Sequence, residues 1–297
     1  MGHIAPRGVV APVFTPFNDD LTVATDLFVA HAEALLDEGC VALAPFGTTG
    51  EAASLSLDER LDALAALIAA GIDPAKLMPG VGLTNLPETA RLARACVDMG
   101  CAAVMALPPF YYKGVGDEGL YAYFARLAEA IDHPALALYL YHIPQISGVG
   151  LSPALVARLF AEVDAIVGIK DSSGDWSNAE ALLAIDGLAV YPSAESALGE
   201  ALPLGAPGCI TATANLNARA VADLIAAWDR DPAEAAALQP AVSAARRAVA
   251  AHPLIEGQKR VKALASGEPR WANVRPPLAP YDAEAAAALG RSLGLIP

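Results

Sequence analysis

The feature that most constrains this chain is an alternation. Short apolar runs, each followed by an amphipathic, alanine-rich stretch, recur about eight times before residue 215. Apolar runs at 8–14, 40–44, 77–81, 102–106, 135–141, 165–170, 188–191 and 208–211 read as strands. Helical spacing fills 26–37, 56–70, 85–99, 119–131, 152–160, 176–185 and 196–204. Local signals agree: Thr25 or Asp26 caps the first helix, Ser56 and Glu59 form a capping box, and Pro153 follows Ser152 in a first turn. Strands that alternate with helices imply βαβ units and a parallel sheet, and about eight of them imply an α/β fold of the (β/α)8 TIM barrel class. An open doubly wound sheet would usually carry a glycine-rich fingerprint after its first strand. Thr15-Pro16-Phe17-Asn18 stand there instead.

After Asn215 the strands stop. Stretches 218–230, 233–249, 253–266 and 283–293 read as helices, the last set off by Pro276, Pro277 and Pro280. The expected division is a barrel over 1–215 that carries the site and a helical segment over 216–297 packed on it. At 55% hydrophobic residues the chain has material for one large core, and barrels of this length commonly form a single domain. The net charge of -14 repels phosphate backbones and argues against a nucleic-acid partner. Charges or prolines interrupt every apolar run, so no membrane span is expected, and the first residues lack the features of a secretory leader. Cys40, Cys96, Cys101 and Cys209 form no pair with zinc spacing and read as small buried hydrophobes of a cytoplasmic protein. No His pair has ligand spacing, so no metal is expected.

A barrel places its chemistry at the carboxyl ends of its strands. Lys170 ends the run Ala165-Ile166-Val167-Gly168-Ile169, and the turn residues Asp171-Ser172-Ser173-Gly174 follow. Lysine is almost never buried without a partner, and burial favours its neutral form, the nucleophile that makes imines with carbonyl substrates. A lysine there can also simply point to solvent. Tyr141, Thr48, Thr49, Tyr111 and Tyr112 fall at or after other strand ends, and that convergence favours the functional reading. Gly47-Thr48-Thr49-Gly50 can offer backbone N–H groups and two hydroxyls to a small carboxylate. Tyr141 has a hydroxyl suited to moving protons at a carbinolamine, or is a core tyrosine. Strand alternation turns His142 away from Tyr141, as a structural histidine.

GTTGE, PPFYY, YHIP and GIKDSSG occur in that order. Together they resemble the dihydrodipicolinate synthase / N-acetylneuraminate lyase family, over about Gly8 to Asn215 and with a helical tail that suits it. The resemblance implies a (β/α)8 barrel, a class I aldolase without added cofactor beyond the covalent lysine imine, and a homo-oligomer built as a dimer of dimers. It implies that Lys170 forms the imine with pyruvate or another 2-oxo acid and that Tyr141 is the proton relay. Thr48 and Thr49, with the backbone of Gly47, would hold the carboxylate, and Thr49 would share in the relay. Tyr111 of a neighbouring subunit, or Tyr112, would complete that relay, and the backbone near Ile210 would line the pocket.

Two departures bear on the second substrate. Ile146 stands where dihydrodipicolinate synthases carry an arginine for aspartate semialdehyde. IPQISGV is similar to the IPALSGV of sialic acid lyases, but of their acidic pair only Glu195 has a counterpart, with Ser193 nearby and Ser196 in the second place. The expected reaction is therefore cleavage or condensation of a 2-oxo-3-deoxy sugar acid or related hydroxy-2-oxo acid, from pyruvate and an aldehyde. The alternatives are 4-hydroxy-tetrahydrodipicolinate synthesis, a Schiff-base dehydratase, and a non-catalytic barrel that binds a 2-oxo acid.

Overall fold

The computed structural model describes residues 3–297. Its strands are β1 (Gly8–Ala11), β2 (Ala42–Leu43), β3 (Val104–Ala106), β4 (Leu138–His142), β5 (Ile166–Asp171), β6 (Ala189–Pro192) and β7 (Gly208–Ile210). The helices in the first half are α1 (Thr25–Asp37), α2 (Leu57–Ala69), α3 (Leu86–Asp98), α4 (Asp117–Ile131) and a short α5 (Pro144–Ser147). Then follow α6 (Pro153–Glu162), α7 (Trp176–Leu183), α8 (Leu198–Ala201), α9 (Ala214–Arg230), α10 (Pro232–Ala250), α11 (Glu256–Ser266) and α12 (Ala283–Ser292). The chain divides into two compact units. One takes Asp73–Ile210 with the leading residues up to Gly8; the other takes Val9–Ile72 with Thr211–Pro297.

In the first unit β3, β4, β5 and β6 pair in sequence order, all parallel. Each of these strands is buried almost throughout, as a sheet covered on both faces requires. The strand expected at 77–81 is reduced to a bridge between Gly80 and Met105. Two bonds hold it, from Met105 N–H to Pro79 O and from Val81 N–H to Met105 O, and Pro79 has no N–H to extend the ladder. The helix expected over 196–204 shrinks to α8 between two tight turns, because Pro203 lies inside it. The short α5 carries no sequence period long enough to announce itself.

In the second unit β1 and β2 pair in parallel, Val10 against Ala42 and Ala11 against Leu43. The capping box of α2 is present in both directions, Glu59 N–H to Ser56 Oγ and Ser56 N–H to the Glu59 carboxylate. At α1 the cap position falls to Ala24, and the Asp26 carboxylate instead pairs with the Arg270 guanidinium at 2.9 Å. Residues from the start of the chain and from its end are therefore joined by side chains. Asn215 is the hub of one such contact: its Nδ2 donates to Pro12 O and Ala212 O, and its Oδ1 accepts the Phe14 N–H and faces His31 Nε2 at 2.9 Å.

His31 is enclosed by Phe14, which stacks on it, and by the edge of Trp271. The Asn215 acceptor assigns the ring proton to Nε2, which leaves a buried Nδ1 with no partner. Burial, with the Lys262 charge nearby, pushes its pKa down from 6.5 to about 3. Between those values the unfolded chain binds a proton that the folded chain refuses. Stability from this group is complete above pH 6.5 and falls as pH drops toward 3. By pH 5 the loss is about 2 kcal/mol at 1.36 kcal/mol per unit. Urea unfolding at pH 7 and pH 5 checks this: His31→Phe should narrow the difference between the two by that amount, and an unchanged difference refutes the assignment.

Candidate active site

The register of β4, β5 and β6 sets Tyr141 opposite Lys170 and Lys170 opposite Tyr191. Lys170 is buried, with only 4% of its surface exposed. Its Nζ lies 4.3 Å from the centroid of the Tyr141 ring, so the amine and the phenol face the same space. One layer back along the strands, Tyr139 and Ala189 flank Gly168. A Cβ at Gly168 would lie 2.3 Å from Tyr139 Cε1 and 2.5 Å from Ala189 O. The missing side chain is what lets the Tyr139 ring lie under the lysine.

That ring belongs to an aromatic floor. Tyr139 and Tyr191 have ring centroids 5.9 Å apart. Tyr139 OH meets His3 Nε2 at 2.8 Å, and Tyr191 OH donates to Pro6 O at 2.6 Å. Burial pushes both phenol pKa values up and the His3 pKa down, so the floor is uncharged near neutral pH.

The other face of the same strands carries His142 and Asp171, which are opposite each other in register. Leu151 N–H donates to His142 Nδ1 at 2.9 Å, and the Asp171 carboxylate accepts Ser173 N–H at 2.9 Å. Burial lowers the His142 pKa against the opposing pull of Asp171. Beyond the strand ends Ser193 N–H donates to Asp171 O, Ser172 N–H to His142 O, and Gln145 Nε2 to Ser172 O. Ser193 is half-buried, Glu195 is fully buried in the turn after β6, and Ile210 is buried at the end of β7. Tyr111 and Tyr112 stand out from the loop after β3, 75% and 69% exposed, with their rings edge to face. Lys113 ties that loop to α5 through Phe110 O and Ser147 O, beside an exposed Ile146.

The second unit holds the Phe46–Glu51 turn. Thr49 and Gly47 are buried and Thr48 is half-buried. Phe46 and Glu51 bracket the turn in the left-handed region, at φ 60° and 54°, which costs a side-chain-bearing residue about 1–2 kcal/mol. Something must hold them there. Gly50 packs so closely that a Cβ would lie 2.8 Å from Val13 O, and Thr15 Oγ1 donates to Gly50 O at 2.7 Å. Glu51 takes the Lys259 ammonium on one carboxylate oxygen and the Arg275 backbone N–H on the other. Lys259 also donates to Thr15 O at 2.9 Å and lies over the Phe17 ring. Both partners of the ion pair have fully buried side chains.

The sequence reading missed Tyr191, Gly168, Glu51 and Lys259. Gly168 had a signal, since a lone glycine inside a strand marks close approach. The Glu51–Lys259 pair had none, because 208 residues separate its members. Among the described residues, no three of His, Cys, Asp or Glu gather to hold a metal ion, and no helix is long and apolar enough to cross a membrane.

Residues 5–294 match the model of the dihydrodipicolinate synthetase family. A DapA-like lyase of Chloroflexus aurantiacus is 33% identical over 96% of this chain and 95% of its own length. The crystal structure of dihydrodipicolinate synthase from Agrobacterium tumefaciens superposes with a TM-score of 0.88 at 32% identity, covering 97% of this chain and 99% of that one. YagE of Escherichia coli K12, a member of the same family solved with pyruvate, gives a TM-score of 0.89 at 26% identity, with 97% of each chain covered. The fold class is thus the (β/α)8 barrel with a C-terminal helical segment, and the protein is a carbon–carbon lyase of the class I aldolase type. The chain belongs to the dihydrodipicolinate synthetase family, whose chemistry runs through a Schiff base without an external cofactor.

Gly168 offers a test of this geometry. In Gly168→Ala the new methyl meets the Ala189 carbonyl as well as the Tyr139 ring, and backbone cannot rotate away. Overpacking of this kind costs about 1–3 kcal/mol, and the variant should unfold at correspondingly lower urea. Unaltered stability would show that the Tyr139 ring does not need the space.

Proposed function

We propose that Lys170 is the imine-forming residue of a lyase that acts on pyruvate or another 2-oxo acid, without added cofactor. The observation that carries the proposal is the buried amine beside Tyr141, above an uncharged floor. The lysine amine adds to the C2 carbonyl. The Tyr141 hydroxyl protonates the carbinolamine oxygen, which leaves as water. In cleavage the iminium draws the C3–C4 bonding pair into an enamine as the C4 hydroxyl gives up its proton and an aldehyde departs. Protonation at C3 and return of water release pyruvate; condensation is the same path reversed. Thr48, Thr49 and the backbone of Gly47 take the substrate carboxylate, and Thr49 shares the proton relay with Tyr141. The exposure of Tyr111 suits a residue that serves a neighbouring subunit, in a dimer of dimers. The Ile210 backbone lines the pocket, with Ser193 and Glu195 toward the aldehyde-derived part. A cytoplasmic setting accompanies this reading.

The aldehyde is argued from Ile146. An exposed isoleucine offers no cation to a second carboxylate, so a neutral or polyhydroxy aldehyde suits it better than aspartate semialdehyde. The rival reading, 4-hydroxy-tetrahydrodipicolinate synthesis, has the name of a Corynebacterium aurimucosum relative in its favour, 34% identical over 94% of this chain.

Incubation with pyruvate and borohydride should fix a three-carbon adduct on the peptide containing Lys170. Lys170→Ala should lose adduct and activity yet keep its far-ultraviolet spectrum, and Lys170→Arg should be equally inactive because a guanidinium stays protonated. An adduct on Lys113, or none, overturns the assignment in favour of a barrel that only binds its 2-oxo acid. With a panel of aldehydes, kcat/KM for aspartate semialdehyde should fall at least about tenfold below that of the best neutral aldehyde, a modest share of what a lost charge contact removes. The reverse order favours the synthase.

A further inference from the structure

The Phe46–Glu51 turn is shaped by residues from the far end of the chain. Glu51 sits at its exit in a left-handed conformation, and both its carboxylate oxygens are engaged from the C-terminal segment, by Lys259 of α11 and by the Arg275 N–H. Lys259 spends a second hydrogen bond on Thr15 O. Thr15 in turn fixes the Gly50 carbonyl. The Arg275 guanidinium continues the same hold beyond the turn, donating to Ser54 O and Leu21 O and pairing with Glu59. Three of these contacts end on the two residues that follow Thr49: Lys259 and the Arg275 N–H on Glu51, and Thr15 on Gly50. A buried ion pair is a poor source of net stability, because desolvation offsets the attraction, but it fixes geometry well. These contacts end on the Gly50 carbonyl and the Glu51 carboxylate rather than on the Thr48 or Thr49 side chain, so the clamp acts on the turn through the residues that close it.

From this we infer that Glu51, Lys259 and Thr15 are positioning residues that hold the Thr48–Thr49 turn in the form that receives the substrate carboxylate. The inference rests on the carboxylate role proposed above for that turn. Two consequences separate positioning from plain support of the fold. The clamp should matter for substrates that have a carboxylate and not for ketones that lack one. Loss of Thr15 Oγ1 alone, which leaves the ion pair intact, should have the same sign of effect as loss of the charge.

The experiment compares the rates at which cyanoborohydride traps imines of pyruvate and of acetone on the full-length protein. The variants are Glu51→Gln, Lys259→Met, Thr15→Val and, for the turn itself, Thr48→Val and Thr49→Val; Tm and circular dichroism certify folding. Glu51→Gln and Thr15→Val should lower the pyruvate-to-acetone rate ratio by about ten- to a hundredfold, the range of one hydrogen bond to a charged group, and should leave the acetone rate within about twofold. Lys259→Met, if it folds, should do likewise; if it does not, the two milder substitutions carry the test. A ratio unchanged in Glu51→Gln and Thr15→Val, or equal losses for both ketones, overturns the inference. If the threonine variants also leave the ratio unchanged, the carboxylate role of the turn falls with it; if they lower it while the clamp variants do not, only the clamp is lost.

Discussion

Strand register is the constraint on which the chemistry of the first unit depends. Side chains alternate along β5, so a slip of one residue would turn Lys170 outward and bring Asp171 to the face of Tyr141. A hydrophobic pattern cannot prevent that slip in a sheet buried on both faces, because both faces are apolar. Specific contacts do the work. The Tyr139 ring fits opposite Gly168 because a Cβ at that place would lie 2.3 Å from its Cε1. Ser193 N–H and Ser172 N–H extend the ladder past the last residues of the strands. The amine is thereby delivered beside the phenol, and the carboxylate of Asp171 is spent on its own turn.

The second unit meets a similar problem with charge. Its turn contains two side-chain-bearing residues in a costly conformation and a carboxylate fully out of water. An unpaired buried carboxylate would simply take a proton. Pairing with Lys259 gives it a counter-charge there, and the Phe17 ring faces both Lys259 and Arg275. His31 solves the opposite case by staying neutral among Phe14, Trp271 and Asn215.

Much of this was legible in the sequence wherever its cause is local. The parallel strand before Lys170 is marked by an apolar run and a turn, the α2 start by Ser56 and Glu59, and the outward face of His142 by strand alternation. Those features need only neighbours within a few residues. The third strand was read too long because Pro79 weakens a ladder without breaking an apolar pattern. The aromatic floor was out of reach, because nothing near Tyr139 or Tyr191 announces that His3 and Pro6 will meet them. The helical tail was foreseen as helices but not as a source of ligands for Glu51, Asp26 and Glu59, since long-range charge pairing leaves no period behind.

The 208 residues between Glu51 and Lys259 also set a clock. A ribosome adds about 5–20 residues per second, so roughly 10–40 s pass between the emergence of Glu51 and that of its counter-charge. During that interval the nascent chain carries the turn without the partner of Glu51, and the left-handed backbone has no reward for its cost. The Phe46–Glu51 turn must therefore wait, unset, for the C-terminal helices. A fragment that ends before α11 would emerge with the loop sequence intact and its shape unmade.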